Sequence, residues 1–350
     1  MRTTRSPSDL KKLAKMSLWL GLLLNPPLSW AQVSGSGERS FWAEGADTNV
    51  GLGARYIAMG GVGTAVADDV YAAYYNPAGA SELKGFSVAA STQTNAKFHN
   101  FSFLGLGWGL PIDESAGYRV GVALAFYPRV HASATGAYTG KEFESIFVRY
   151  LLPGVPEDFN GNIESKTKSY RVALGVQNTE KRWSVGAYVE HIDCRSNFCG
   201  VHAQSNGYTV DSTGAKAYGF GFGARYKFDY DWTGGVQISD VNTKLDVTES
   251  ITDNLGTRNR QFKSAFPRRV TVEIAKRISS NWIAAVQHDK FQGAYGGSML
   301  DIQMIRAGTE YQSGAWRYRA GALIPLRIYS DQSESVKLPL PFAPTMGLGW

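Results

Sequence analysis

The sequence predicts an all-β protein, a transmembrane antiparallel β-barrel with an N-terminal plug inside its lumen. Three observations predict it. Runs of roughly ten residues alternate bulky apolar side chains with small or charged ones, the connections between runs are alternately short and long, and most tryptophans gather at one end of the runs.

The first 31 residues read as a signal peptide. Lys11, Lys12 and Lys15 make a positive start, Leu18 to Leu24 a short apolar core, and Ser29-Trp30-Ala31 a small-x-small cleavage site, so the mature chain is expected to begin at Gln32. A signal anchor is disfavoured because Pro26 and Pro27 cut the apolar run well below the ~20 residues of a spanning helix. This leader carries Arg2, Arg5, Lys11, Lys12 and Lys15 against Asp9, which is +4 of the formal +6. The remaining chain is nearly neutral, so its basicity gives no reason to expect a nucleic-acid partner.

From residue 85 onward the alternation is regular. Tyr118, Val120, Val122, Leu124 and Phe126 alternate with Arg119, Gly121, Ala123 and Ala125. Tyr170, Val172, Leu174 and Val176 alternate with Arg171, Ala173, Gly175 and Gln177, and Tyr218, Phe220, Phe222, Tyr226 and Phe228 with Gly219, Gly221, Gly223, Arg225 and Lys227. A soluble sandwich buries such an apolar face between sheets, whereas a membrane barrel turns it to lipid and keeps the small and charged parity in the lumen. Length decides between them, because a tilted spanning strand needs about 9–11 residues and soluble strands average about 5–6.

Twelve strands are counted, at 85–93, 101–111, 117–128, 168–178, 182–193, 216–228, 231–240, 268–278, 281–290, 301–312, 315–326 and 342–350. Short connections lie at 112–116, 179–181, 229–230, 279–280 and 313–314, and long ones at 129–167, 194–215, 241–267 and 327–341. Short turns belong on the periplasmic side of an outer-membrane barrel. Trp108, Trp183, Trp232, Trp282, Trp316 and Trp350 all fall at the short-turn ends, where an indole with an apolar body and one N–H suits the membrane interface. The last run, Phe342, Pro344, Met346, Leu348 and Trp350, alternates to a final aromatic and resembles the C-terminal signal read by the barrel assembly machinery.

Residues 32–84 do not alternate. Gly53-Ala-Arg55, a small-residue stretch, Ala67-Asp68-Asp69 and Asn76-Pro77-Ala78 follow one another in an order that resembles the N-terminal hatch of the FadL-like family, outer-membrane transporters of long-chain fatty acids and other hydrophobic compounds. The resemblance runs from about residue 50 to the end. It implies a bacterial outer-membrane location, a hatch at 32–84 marked by Asp68, Asp69, Asn76, Pro77 and Ala78, a barrel at 85–350, and passive transport of small hydrophobic compounds such as long-chain fatty acids or aromatic hydrocarbons. Family barrels typically have 14 strands. A smaller relative, a hairpin overlooked in 129–167 or a shortened chain would each account for the twelve counted here. A nucleotide loop at Gly60-Gly-Val-Gly63 is rejected, because Val66 stands where the third glycine belongs and no βαβ period follows.

Several constellations are candidates for the site. Inward parity puts Arg119, Arg225, Lys227, Arg277, Arg317 and Arg319 in the short-turn half of the lumen, where they either anchor the hatch by ion pairs with Asp68 and Asp69 or meet the carboxylate of an amphiphilic ligand. Phe143, Ile146, Phe147, Tyr150 and Leu151 make one apolar stripe on a short helix within 129–167, a candidate groove for ligand capture or merely a seat for the loop. Cys194 and Cys199 are expected to form a disulfide in an oxidising compartment, although His191 and His202 flank them at a spacing that a metal site would also use.

No Ser/His/Asp grouping or carboxylate pair falls in one pocket, so neither an enzyme, a cofactor nor a resident metal is expected. Expected partners are outer-membrane lipid and lipopolysaccharide, a hydrophobic small-molecule ligand, and the assembly machinery during insertion, with the protein a monomer. The competing function is a non-transporting barrel that serves as a scaffold for secretion or surface attachment.

Overall fold

A computed structural model describes residues 40–44, 46, 51–95, 98–110, 117–138, 159–178, 180, 182–194, 202–205, 208–213, 215–295, 298–330 and 342–350. Among them seventeen strands belong to one sheet. The barrel is a meander of twelve long antiparallel strands: β2 (Phe86–Asn95), β3 (Phe98–Leu110), β4 (Tyr118–Tyr138), β5 (Phe159–Asn178), β6 (Trp183–Cys194), β9 (Ala215–Lys227), β10 (Trp232–Ser239), β13 (Arg268–Ser279), β14 (Trp282–Tyr295), β15 (Ser298–Ser313), β16 (Trp316–Ser330) and β17 (Ala343–Gly349). Each pairs with the next, β6 going directly to β9 and β10 to β13. No helix among the described residues is long and apolar enough to cross a membrane.

The alternation in the sequence becomes the two faces of this wall. Tyr170, Val172 and Leu174 are exposed on the outside, while Arg171 and Ala173 between them are buried. The same holds for Tyr218, Phe220 and Phe222 against the inward Gly219, Gly221 and Gly223. In a bilayer the outer residues meet acyl chains, so their exposure is the expected state of a lipid-facing surface. Trp183, Trp232, Trp282 and Trp316 are the first residues of β6, β10, β14 and β16. Four strands therefore enter the membrane on an indole, and the Lys276 Nζ lies 4.7 Å over the Trp232 ring, its charge reaching for water beside the aromatic.

Inside the curl sits the plug, residues 51–84. Its short helix Ala54–Ala58 packs on β16 and β17, and its 3-10 helix Pro77–Glu82 packs on β3, β4, β5, β6 and β9, so the wall surrounds it. The buried apolar core of the molecule lies almost wholly here, with Leu52, Tyr56, Met59, Val62, Val70, Tyr74, Tyr75 and Leu83 at its centre.

The long connections expected at 129–167, 194–215 and 241–267 are not simple loops. β4 and β5 continue as a paired ladder up to Tyr138↔Phe159. The second connection contains the hairpin β7 (His202–Ser205) and β8 (Tyr208–Thr213), and the third β11 (Lys244–Asp253) and β12 (Gly256–Ala265). β7 joins β5, and β8 joins β11, so the wall rises beyond the membrane on this side as a continuous sheet. These segments escaped the pattern reading because their alternation is short and broken, as where Glu249 interrupts the parity of Leu245, Val247 and Ile251 in an otherwise polar stretch.

The wall parts between β3 and β4. β3 and β4 pair only from Leu104↔Phe126 to Leu110↔Val120, although both continue further. Above that level β3 stays with β2 and β4 with β5. The edge of β4 that faces the seam is taken by β1 (Ser40–Glu44), in register from Ser40↔Thr135 to Glu44↔His131, and the Ala46 N–H donates to the Pro128 carbonyl at 3.0 Å. An unpaired strand edge is a template for pairing with another strand, and the N-terminal strand occupies this one.

Candidate functional site

The plug lies so close to the wall because the wall gives way to it with glycine. A Cβ on Gly175 would stand 2.6 Å from the Pro77 carbonyl oxygen, one on Gly235 2.6 Å from that of Thr64, and one on Gly105 2.5 Å from a methyl of Val70. Gly121, Gly186, Gly223, Gly308 and Gly321 meet the plug in the same way. The plug answers at Gly60, whose φ of +72° few side chains tolerate and which sits against Ala307 and Ala322 of the wall.

Fastening runs from wall side chains to plug backbone. Arg171 donates to the Ala73 carbonyl at 3.1 Å, Gln237 to that of Tyr74 at 3.0 Å and Arg225 to that of Ala67 at 2.8 Å. Glu273 accepts from the Gly63 N–H at 2.8 Å, and Thr345 accepts from the Gly60 N–H at 2.9 Å while donating to Ala58 at 3.0 Å. Asn76 is wholly buried. Its Nδ2 donates to Thr64 at 2.8 Å and to Ala224 and Val236 of the wall at 3.3 Å, and its Oδ1 accepts from the Ala78 N–H at 3.1 Å. Pro77 and Ala78 fill the space over Gly175 and Gly186.

Two buried ionic clusters brace the wall around the plug, one of them holding Arg171. Glu190 pairs with Arg171 at 2.7 Å and with Arg129 at 3.7 Å, accepts from Tyr127 at 3.2 Å and bonds Ser169, while Arg129 grips Asp240 through two bonds of 2.7 and 2.9 Å. Arg171 also stacks 3.6 Å over the Tyr188 ring. On the opposite wall Asp289 collects Arg306 at 2.5 Å, Arg269 at 3.2 Å, and Thr271 and Gln287 at 2.9 Å each. Removing one partner of such a pair typically costs about 3–5 kcal/mol, because the other charge stays buried. The sequence reading missed these residues, although, Arg129 in the 129–167 connection apart, their inward parity within the counted strands was a usable signal.

The structure distributes the expected charges unevenly. Arg225 and Lys227 meet Glu82 of the plug at 2.8 and 3.7 Å. Arg319 pairs with Glu310 of its own wall at 2.6 Å. Asp68 is held by Arg55 of the plug itself at 2.6 Å, and Arg55 reaches on to Glu310 at 3.2 Å, so the plug supplies the cation and the wall the carboxylate. Asp69 accepts from the Tyr56 hydroxyl and the Tyr71 N–H, both at 2.9 Å. Burial pushes its carboxyl above the usual range, against the pull of Arg55 and of those two bonds. Among the described residues Arg119, Arg277 and Arg317 take part in no ion pair. Phe143, Ile146, Phe147, Tyr150 and Leu151 lie outside the described residues, as does Cys199. Cys194 ends β6.

Below the plug, at the short-turn end, a cavity of about 1250 Å³ is lined by Arg55, Asp68, Glu82, Arg225, Arg277 and Arg317, among other largely polar groups. Above it the plug presents aromatics: Tyr71 stacks on Phe103 at 4.3 Å, Phe103 lies 6.5 Å from Tyr127, and Tyr74 meets Tyr127 edge-on at 5.3 Å. Phe103 is on β3 and Tyr127 on β4, so this aromatic floor bridges the foot of the seam. Among the described residues no group of His, Cys, Asp and Glu could hold a metal ion.

These features define a plugged β-barrel with an apolar outer wall. No family model matches the chain and no curated protein matches it significantly. Solved structures do match in fold. A Pseudomonas aeruginosa FadL homologue superposes with a TM-score of 0.56 at 10% identity over 88% of this chain and 86% of that one. The Ralstonia pickettii toluene transporter TbuX gives 0.53 at 16% identity over 80% and 88%, and the Pseudomonas putida toluene transporter TodX gives 0.50 at 14% over 83% and 85%. The chain has the fold of the FadL-like outer-membrane transporters.

Proposed function

We propose that this barrel carries small hydrophobic molecules passively across the outer membrane, long-chain fatty acids or aromatic hydrocarbons being the class it takes. The observation that carries the reading is the seam above Leu104↔Phe126, floored by Tyr71, Phe103 and Tyr127 and occupied on one edge by β1. The cavity under the plug is lined largely by charged groups and offers a hydrocarbon little. Phe103 and Tyr127 are wholly buried and Tyr71 is half-buried, so a hydrocarbon would reach this aromatic floor from the Tyr71 side as the plug shifts, beside a seam that opens at the upper edge of the lipid. A ligand gathered on the stripe Phe143, Ile146, Phe147, Tyr150 and Leu151 would descend to the floor and leave sideways as β1 yields. Names of the matching structures point the same way, since two are toluene transporters.

A lock tests it. Phe41 and Ala134 are direct partners across β1 and β4, so Phe41→Cys with Ala134→Cys can form a disulfide. Uptake of radiolabelled toluene and oleate by cells carrying this protein should fall to the level of cells without it, and return on reduction. Undiminished uptake through the locked barrel would overturn the sideways route. Equal uptake with and without the protein would overturn transport itself. Phe147→Asp should lower uptake without altering assembly if the stripe captures ligand.

One observation favours a second reading. The wall continues outward as the β4, β5, β7, β8, β11 and β12 sheet, a surface of the kind an attachment scaffold would present. Loss of cell-surface attachment of a partner, with uptake unchanged, on deleting β11 and β12 would support it.

A further inference from the structure

The outer face of β5, β6 and β9 carries two rows that the transport reading does not use. The lower row is aromatic. Phe126 and Tyr170 lie 5.0 Å apart, Tyr170 and His191 6.2 Å, and His191 and Tyr218 5.3 Å, all on cross-strand partners. Immediately above, Lys168 pairs across the strands with Asp193, and Asp193 with Lys216. Both lysines are exposed, and among the described residues neither is in an ion pair.

Their height is set by the strands. Asp193 stands ~10 residues along β6 from Trp183, and Lys216 the same distance along β9 from Tyr226, the Trp183 partner. At about 3.3 Å per residue and a tilt near 40° this is roughly 25 Å along the membrane normal, the height of the apolar band of such barrels. The aromatics therefore mark the upper edge of the hydrocarbon, and the lysines emerge at the level of lipid phosphates, on the long-loop side. On the far wall Arg268 and Lys290 of β13 and β14 face outward near the same level, and Arg327 reaches Asp301 at 3.6 Å.

We propose that Lys168 and Lys216, above Tyr170, His191 and Tyr218, form a site for the diphosphorylated sugar head of lipopolysaccharide. The long-loop side faces the outer leaflet, where that lipid resides. The two ammonium groups stand on strands two apart, about 10 Å, so one rigid disaccharide can present a phosphate to each while its acyl chains lie along the aromatic row. Asp193 between them disfavours a single phosphate centred on β6 and favours two placed either side. The site rests on the outer-membrane placement of the barrel and is independent of whether it transports.

The experiment measures lipid binding to the purified barrel in neutral micelles by native mass spectrometry. Diphosphoryl lipid A should bind wild-type protein at least tenfold tighter than dephosphorylated lipid A or phosphatidylglycerol. Lys168→Gln with Lys216→Gln should lose that preference, while Lys168→Arg with Lys216→Arg should keep it, and heat-dependent gel mobility should show all three barrels assembled. Wild-type affinity in the glutamine variant, or equal binding of phosphatidylglycerol and lipid A, would overturn the site. Toluene uptake by the glutamine variant should stay at the wild-type level, so a failure here is distinct from a failure of transport.

Discussion

The two halves of this barrel are built on opposite principles. In the short-turn half the wall is lined with glycine, and the space inside is filled by the backbone of the plug. In the long-loop half the wall outgrows the membrane on one side, parts at the seam between β3 and β4, and is patched there by β1. The lower half is packed closely around the plug, above a polar cavity. The upper half is a sheet with edges. Plug packing and open sheet edges are thus separated by height.

The largest effect is expected at the glycine belt. Gly121→Val would drive a side chain into the Ala80 carbonyl, and with no room to relax, the barrel should either fail to assemble or lose its plug. Heat-dependent gel mobility reads the first outcome and entry of large antibiotics the second; an assembled, sealed barrel would show that the plug can give way. Next comes Arg171→Met, which strips Ala73 of its donor and leaves Glu190 buried with Arg129 alone. A loss of about 3 kcal/mol is expected, seen as a lower urea midpoint for refolding into bilayers.

A smaller effect is expected at Asp69. Its folded-state carboxyl is raised by burial, so its contribution favours the plug at acid pH and is lost as pH rises through that raised value. Asp69→Asn keeps an acceptor for Tyr56 and Tyr71 and should flatten the pH dependence of plug stability, which conductance of the reconstituted barrel between pH 4 and about 7 would follow. Asp68 is about half exposed, and Asp68→Asn should cost less than ~1 kcal/mol. The smallest effect on assembly belongs to the upper half. Replacing residues 245–264 by a tight turn should leave heat stability unchanged, because the Phe266 N–H already donates to the Thr243 carbonyl at 3.1 Å and holds the ends together.

The same division explains what the sequence made legible. Strands in contact with lipid announce themselves, because one face must be apolar throughout, and Tyr218 to Phe228 could be read without coordinates. Strands above the membrane need no unbroken apolar face, so Glu249 can interrupt the parity of Leu245, Val247 and Ile251 and blur the mark. Within the lumen, parity shows that Arg225 points inward but not that it will meet Glu82 and Ala67, since that depends on the plug's path. Asp68 shows the limit best. Its placement beside barrel arginines followed from charge alone, whereas the chain had a nearer cation in Arg55, thirteen residues before it.

β1 has a mechanical consequence. The plug is continuous with β2 at one end through Gly85, and at the other it leads back towards β1, laid along β4 on the far side of the membrane. It is moored fore and aft, so it cannot drop out like a cork. An opening stroke that keeps both moorings in place is a swing about them.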